Sequence, residues 1–244
     1  MTKPASAALE ITDAELAPLP DATIPDYLEH TYRWAYLNPR NVAWLDRPAV
    51  VSTILWGNAR RLMRAAVAEF SPGQRVMQAA CVYGDFTARL AHRLGAEGEL
   101  EVLDAAPIQV DNLRRKLATP CRVKARCVDL AAADIGIAPG SLDGVACFFL
   151  LHEVPDAARR RIVDTLLSRV RVGGKVVFAD YHRPVRWHPL RPVMALVFRR
   201  LEPYAASLLA TDVAGLSPRA ADFCWRKTTS FGGLYQHLVA VRQR

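Results

Sequence analysis

Chemistry in this chain is concentrated at a few points where apolar runs stop. His152 and Glu153 follow the run 145–151, and Asp180 and His182 follow the run 175–179. Asp104 and Asp129 close two earlier runs, 99–103 and 122–128. Imidazole and carboxylate groups move protons near neutral pH and bind ligands. A carboxylate also accepts two hydroxyl hydrogen bonds at once, which suits a sugar diol. Each of these residues has a plainer reading too. Asp104 and Asp129 suit a helix cap or a turn, and His152 suits a ring bonded to backbone. His30, His92, His188 and His237 are assigned to structure or surface.

Groups spread this widely in sequence need a scaffold to bring them together, and the spacing describes one. Short apolar runs at 75–80, 99–103, 122–128, 145–151 and 175–179 read as strands. Helical stretches fall between them at 87–94, 107–117 and 156–170, with Pro107 in a first turn and Asp156 as a cap. Gly173-Gly174 reads as a turn. Strand and helix alternating at this interval predict an α/β fold, Rossmann-like, with a mostly parallel seven-stranded sheet and helices on both faces. Ligands in such folds sit at the carboxyl ends of the strands, where these polar residues fall. Residues 223–229 and 234–241 predict a closing β-hairpin, and 183–222 a helical insert before it. Residues 24–70 read as short aromatic-rich helices cut by Pro39 and Pro48, forming an N-terminal cap over 23–70. Residues 1–22 read as a disordered leader ahead of the main domain, 71–244. His152 and Glu153 are adjacent, so on a strand at most one aims inward unless the chain turns there.

Composition narrows the partners. The 244 residues carry a net charge of +8, and only five of the 32 cations are lysine. Half of the residues are hydrophobic, too many for a disordered chain. The longest stretch without a charged side chain, 228–241, is too short for a membrane span and holds two glycines. Five cysteines without a CxxC pair suit a reducing cytoplasm. The arginines interleave with large aliphatics rather than with stacking aromatics, and no nucleic-acid-binding module is visible.

The strand pattern and the two aspartates resemble the class I S-adenosylmethionine (SAM) methyltransferase fold over residues 70–244. Its first motif, an acid followed by three alternating glycines, aligns with Gln78-Ala79-Ala80-Cys81-Val82-Tyr83-Gly84. Only Gly84 matches a glycine. Gln78 replaces the acid, and Ala80 and Val82 replace two glycines. The resemblance implies that Asp104, with Ala105, holds the ribose and that Asp129, with Leu130, accepts from the adenine amino group. In that fold the acid helps hold the methionine ammonium and raises its pKa. Gln78 hydrogen-bonds without that bias, so the loop implies either lost SAM binding or a SAM amine less firmly held as a cation.

A narrower resemblance rests on Tyr32-Arg33-Trp34-Ala35-Tyr36, on 79–86 (AACVYGDF) and on 104–109 (DAAPIQ). These segments are similar to those of the rhodoquinone biosynthesis protein family. The resemblance implies conversion of ubiquinone to rhodoquinone: a ring methoxy group is replaced by an amine, with SAM as amino donor and manganese (Mn2+) in support. An amine attacks a quinone only as the free base, which fits a loop without the usual carboxylate. On this implication His152, Glu153, Asp180 and His182 are the metal candidates. Tyr83, Glu153 and Asp180 are the catalytic candidates, Tyr83 alternatively being a packing aromatic and Asp85 a helix cap. Two other readings stay open: an ordinary quinone or lipid methyltransferase, and a non-catalytic quinone-binding protein on a decayed fold.

A quinone with an isoprenoid tail lives in the bilayer. Residues 183–201 contain Arg183, Arg186, Arg191, Arg199 and Arg200, no acid, and interleaved large apolar side chains. That pattern suits an anionic membrane surface, as does 50–56 with Arg60, Arg61 and Arg64. The alternative is a pair of helices capping the sheet. The expected location is cytoplasmic, peripheral on the inner face of the cytoplasmic membrane. The oligomeric state is left open.

Overall fold

The computed structural model describes residues 24–117 and 123–244. The expected leader, 1–22, lies outside the described residues. Seven strands form one sheet: β1 Arg75–Ala79, β2 Glu99–Asp104, β3 Val123–Cys127, β4 Leu142–Phe148, β5 Val170–Tyr181, β6 Phe223–Ser230 and β7 Tyr235–Arg242. Their order is β3-β2-β1-β4-β5-β7-β6. The first five run parallel, and β7 is antiparallel to both of its neighbours. The order reverses beside β1, so β1 and β4 carry their ends to the crevice where ligands bind in open α/β sheets.

Alternation along the strands divides the core in two. Val76, Ala146, Phe148, Val177 and Ala179 face one side, packed with α5 Ala59–Ala68 and α6 Phe86–Leu94. Met77, Val145, Cys147, Val176 and Phe178 face the other, packed with α8 Asp156–Arg169. The helix α7 Pro107–Lys116 begins with Pro107, whose missing N–H costs nothing in a first turn. Residues 26–54 form four short helices, α1 Asp26–His30, α2 Arg33–Tyr36, α3 Pro39–Leu45 and α4 Pro48–Ile54, before α5. The segment between β5 and β6 holds α9 Arg191–Arg200, α10 Ala205–Leu209 and two 3-10 turns. Among the described residues no helix is long and apolar enough to cross a membrane.

The structure corrects three local expectations. The run 145–151 does not stay extended: β4 ends at Phe148, Phe149 takes a φ of 54°, and Leu151–Glu153 form a 3-10 turn. Two bonds to β5 impose this bend. Phe149 N–H donates to Ala179 O at 2.7 Å, and Leu151 N–H donates to the Asp180 carboxylate at 2.8 Å. Gly173-Gly174 does not reverse the chain. It lies within β5 at an irregularity where Leu142 pairs with Val170 but Gly144 with Lys175. A Cβ at Gly174 would meet three carbonyl oxygens at 2.9–3.1 Å. Asp156 is the first residue of α8, after Pro155 at the cap position.

Candidate active site

A cavity opens at the carboxyl ends of β1, β2 and β4, beneath the N-terminal helices. One end is the loop after β1. Ala80 there has a φ of 69°, a conformation that favours glycine. Its N–H donates to Leu103 O at 2.8 Å, and the next N–H, of Cys81, donates to Asp104 Oδ2 at 2.6 Å. Asp104 Oδ1 accepts from Ala106 N–H at 2.8 Å. Burial raises the Asp104 carboxyl to about 6, against the pull of these backbone donors. Gln78 is fully buried; its Nε2 donates to Ala80 O at 2.8 Å and its Oε1 has no partner. The glutamine therefore ties the loop to its own strand and leaves one buried acceptor.

Ala80, Cys81, Val82, Tyr83, Asp104, Ala105 and Leu130 line the cavity. Ala79 is buried on the opposite face of the sheet. Gly84 has a φ of 85°, donates to Asp46, and has Met63 and Val51 where a Cβ would go. Asp129 lines a neighbouring cleft, where its Oδ1 accepts from Ala131 N–H at 2.8 Å in a turn. Tyr27 of α1 borders both spaces. Tyr83 stacks on Tyr36 with ring centres 5.5 Å apart. Its hydroxyl donates to Ala35 O at 2.6 Å and accepts from Gln109 Nε2 at 2.9 Å. Tyr83 thus forms part of the wall, and its proton is committed to α2.

The other end holds the charges. The turn that ends β4 presents both His152 and Glu153 inward, because the backbone is no longer extended. His152 Nδ1 donates to Asp180 Oδ1 at 2.8 Å, which leaves Nε2 facing Glu153 at 3.7 Å. Glu153 accepts a short hydrogen bond from the Tyr36 hydroxyl. Glu202, between α9 and α10, accepts from the Tyr32 hydroxyl at 2.8 Å. Ligand atoms of His152, Glu153 and Glu202 all lie within 4.8 Å of one another. Burial raises the Glu153 carboxyl to about 8, against the attraction of His152. Burial likewise raises Glu202. Burial opposes charge on His152, but Asp180 outweighs it and holds the imidazole up to about 9.

Arg159 of α8 ties the two segments that carry this group. It is fully buried and donates to Leu151 O, Val154 O and Tyr204 O at 2.8–2.9 Å. The first two carbonyls flank His152-Glu153, and the third lies two residues beyond Glu202.

Two of the four sequence-proposed ligands are not brought into the group as ligands. Asp180 stands behind His152, with its oxygens taken by His152, Leu151 N–H and Tyr181 N–H. His182 points elsewhere, its Nδ1 bonded to Gly233 O at 2.9 Å, because the chain beside it pairs with Leu234. Glu202, Tyr32 and Tyr36 were missed as site residues. Glu202 carried a signal, being the lone acid between Asp180 and Asp212. Tyr32 and Tyr36 carried one in their spacing of four, which places both on one face of a helical turn.

The residues fit SAM at one point and depart from its usual cradle at another. A carboxylate has about four acceptor positions, so Asp104 keeps capacity for ribose hydroxyls beside its two backbone donors. Gln78 supplies an acceptor without charge where an ammonium is ordinarily held. The His152, Glu153 and Glu202 donors, one nitrogen and carboxylate oxygens, fit a divalent cation of the manganese type.

Residues 76–174 match the family described as methyltransferase domain. An uncharacterized methyltransferase of Synechocystis is 28% identical over 210 residues, 85% of this chain and 93% of the relative. Among solved structures, an O-methyltransferase family protein from Burkholderia thailandensis has a TM-score of 0.64 at 19% identity, over 86% of this chain and 62% of its own. The chain thus spans less than two thirds of that protein. The N-methyltransferase NodS from Bradyrhizobium japonicum, solved with S-adenosyl-L-homocysteine, has a TM-score of 0.56 at 13% identity, over 90% and 99%. Strand order and crevice give the chain the Rossmann-like class I methyltransferase fold, and residues 76–174 match a methyltransferase domain.

Proposed function

We propose that this SAM-dependent transferase acts on a quinone ring, replacing a methoxy group of ubiquinone by an amino group taken from SAM, as in rhodoquinone biosynthesis. The observation that carries the reading is the union, in one aromatic-walled cavity, of a charge-free first loop with the His152, Glu153 and Glu202 group. Tyr36, Tyr83, Phe149 and Tyr181 offer flat faces to a ring. Replacing methoxy by an amine forms a ring C–N bond as the ring C–O bond breaks: a proton leaves the incoming nitrogen and one reaches the methoxide, which leaves as methanol. Freeing the amino group also breaks the donor's own N–Cα bond, its carbon skeleton passing two electrons to the quinone ring and leaving as a carbonyl compound on addition of water. Glu153, held near neutrality, both takes and returns a proton close to pH 7. Tyr36 holds that carboxylate in place, and Asp180 holds the His152 tautomer. Manganese, if bound, would be held by the His152 imidazole and the Glu202 carboxylate, leaving Glu153 to handle the proton, and would supply a Lewis acid for a quinone oxygen.

Ordinary methyl transfer is the second reading, favoured by the methyltransferase domain match. Purified protein with SAM, Mn2+ and a short-tailed ubiquinone separates the two by product mass. Amino replacement lowers the mass and methylation raises it. Nitrogen-labelled SAM then identifies the donor. Label in the quinone is expected, and a methylated or unchanged quinone overturns the amino-transfer reading.

A further inference from the structure

Large apolar side chains stand exposed in two regions far apart in sequence that meet in space. Trp34 and Ile54, both 44% exposed, belong to the N-terminal helices, and Trp56 follows at 38%. Trp187, 84% exposed, precedes α9, whose outer surface carries Val193 and Leu196. The Trp56 indole N–H donates to Met194 Sδ at 3.3 Å, so the helix pair α4–α5 and α9 adjoin. On α9, Met194 and Phe198 turn into the core, while Val193, Leu196 and Arg200 follow one another at helical spacing on the solvent side. Trp34 and Ile54 also line the catalytic cavity. The mouth of that cavity is therefore rimmed by exposed apolar side chains.

On the α9 side of this face the charge has one sign. Residues 181–201 hold five arginines and no acid, and Arg186 lies 5.5 Å over the Trp187 ring. A soluble surface does not usually leave several tryptophans and aliphatics in one patch without a partner. Arginines interleaved with aliphatics, beside exposed tryptophans, match the layered chemistry of a lipid headgroup region, with indole at the interface and guanidinium on anionic phosphate. No described helix can cross a bilayer, so contact of this kind is peripheral.

We infer that the face formed by α9, the Trp187 segment and the Trp34–Trp56 helices docks on an anionic lipid bilayer, with the cavity mouth against the membrane. The substrate class that follows is one carried in the lipid phase. Docking stands independently of which group is transferred, and a binding assay without SAM separates the two ideas. Sedimentation of the full chain with vesicles of phosphatidylcholine alone, or with added phosphatidylglycerol, tests it. Binding is expected only with phosphatidylglycerol, weakening as salt rises. Arg199→Gln with Arg200→Gln is expected to weaken it about thirty-fold, two surface cations being removed. Both sites are exposed, so folding is preserved, which circular dichroism checks. As a second measurement on the unaltered chain, brominated lipid should quench tryptophan fluorescence. Equal binding to both vesicles, unchanged binding by the double variant, no quenching, or burial of the face by a second copy at assay concentration overturns the inference.

Discussion

The two ends of the cavity are built from opposite materials. At the β1–β2 end the loop is held by backbone donors, one aspartate and the neutral amide of Gln78. At the β4–β5 end, two carboxylates and an imidazole crowd together, each held by a partner of its own: Tyr36, Tyr32 or Asp180. Charge is absent from the loop where the resemblance expects an acid and concentrated at the opposite end of the cavity. A neutral cradle leaves an amine free to lose its proton, and a crowded charged cluster has reason to hold one, or a cation. On the proposed function, the difference assigns proton handling to the end of the cavity away from the first loop.

Substitutions test that division. The largest effect is expected from Glu153→Gln, which keeps the hydrogen bond to Tyr36 but removes the titrating group. Turnover should fall by about 10²–10⁴ with SAM affinity unchanged. Steady-state rates and titration calorimetry check both, and a fall in SAM affinity instead would erase the distinction between the two ends. Arg159→Met comes next. It strands two buried carbonyls and one part-buried one and should cost about 3–5 kcal/mol in urea unfolding. It should also loosen Mn2+ binding, since the segments carrying Glu153 and Glu202 are no longer tied.

A smaller effect is expected from Gln78→Glu at the neutral end. Each unit by which a new carboxylate raises the amine pKa removes about tenfold of the free base. Amino transfer should fall while SAM binding holds or tightens, and unchanged transfer would sink the role given to the neutral amide. The smallest effect is on stability against pH. The native state holds His152 up to about 9, from 6.5. The stability this contributes is whole below pH 6.5 and is lost as pH climbs through about 9. Glu153, raised from 4.5 to about 8, has the same sign, because the native state keeps a proton that the unfolded carboxyl releases. Urea midpoints measured with chelator present should therefore fall from about pH 6 to about pH 9. Asp180→Asn should flatten the upper part of that slope.

Much of the fold was legible because its signals are local. Apolar runs ending on Asp104, Asp129 and Asp180, with Pro107 opening a helix, specify the parallel sheet through periodicity alone. The loop from Gln78 to Gly84 was legible as an altered ligand cradle. The candidate cluster was half legible. His152 and Glu153 were identified, but their shared direction depends on a turn that Asp180 imposes from another strand. Glu202 lies 49 positions beyond Glu153 and is brought to it where Arg159 bonds the two segments and Tyr32 holds the Glu202 carboxylate. His182 looked equivalent to His152 in sequence, yet the antiparallel pairing of β7 carries it to Gly233.

By itself the sequence determined element type and the unusual neutrality of the first loop, because these follow from periodicity and residue identity. Only the tertiary structure decided which acids share a site, what Tyr83 does with its hydroxyl, and that two distant apolar stretches form one face. Those outcomes depend on burial and on hydrogen bonds between segments far apart in the chain, where one donor or one bend reassigns a side chain that sequence leaves ambiguous.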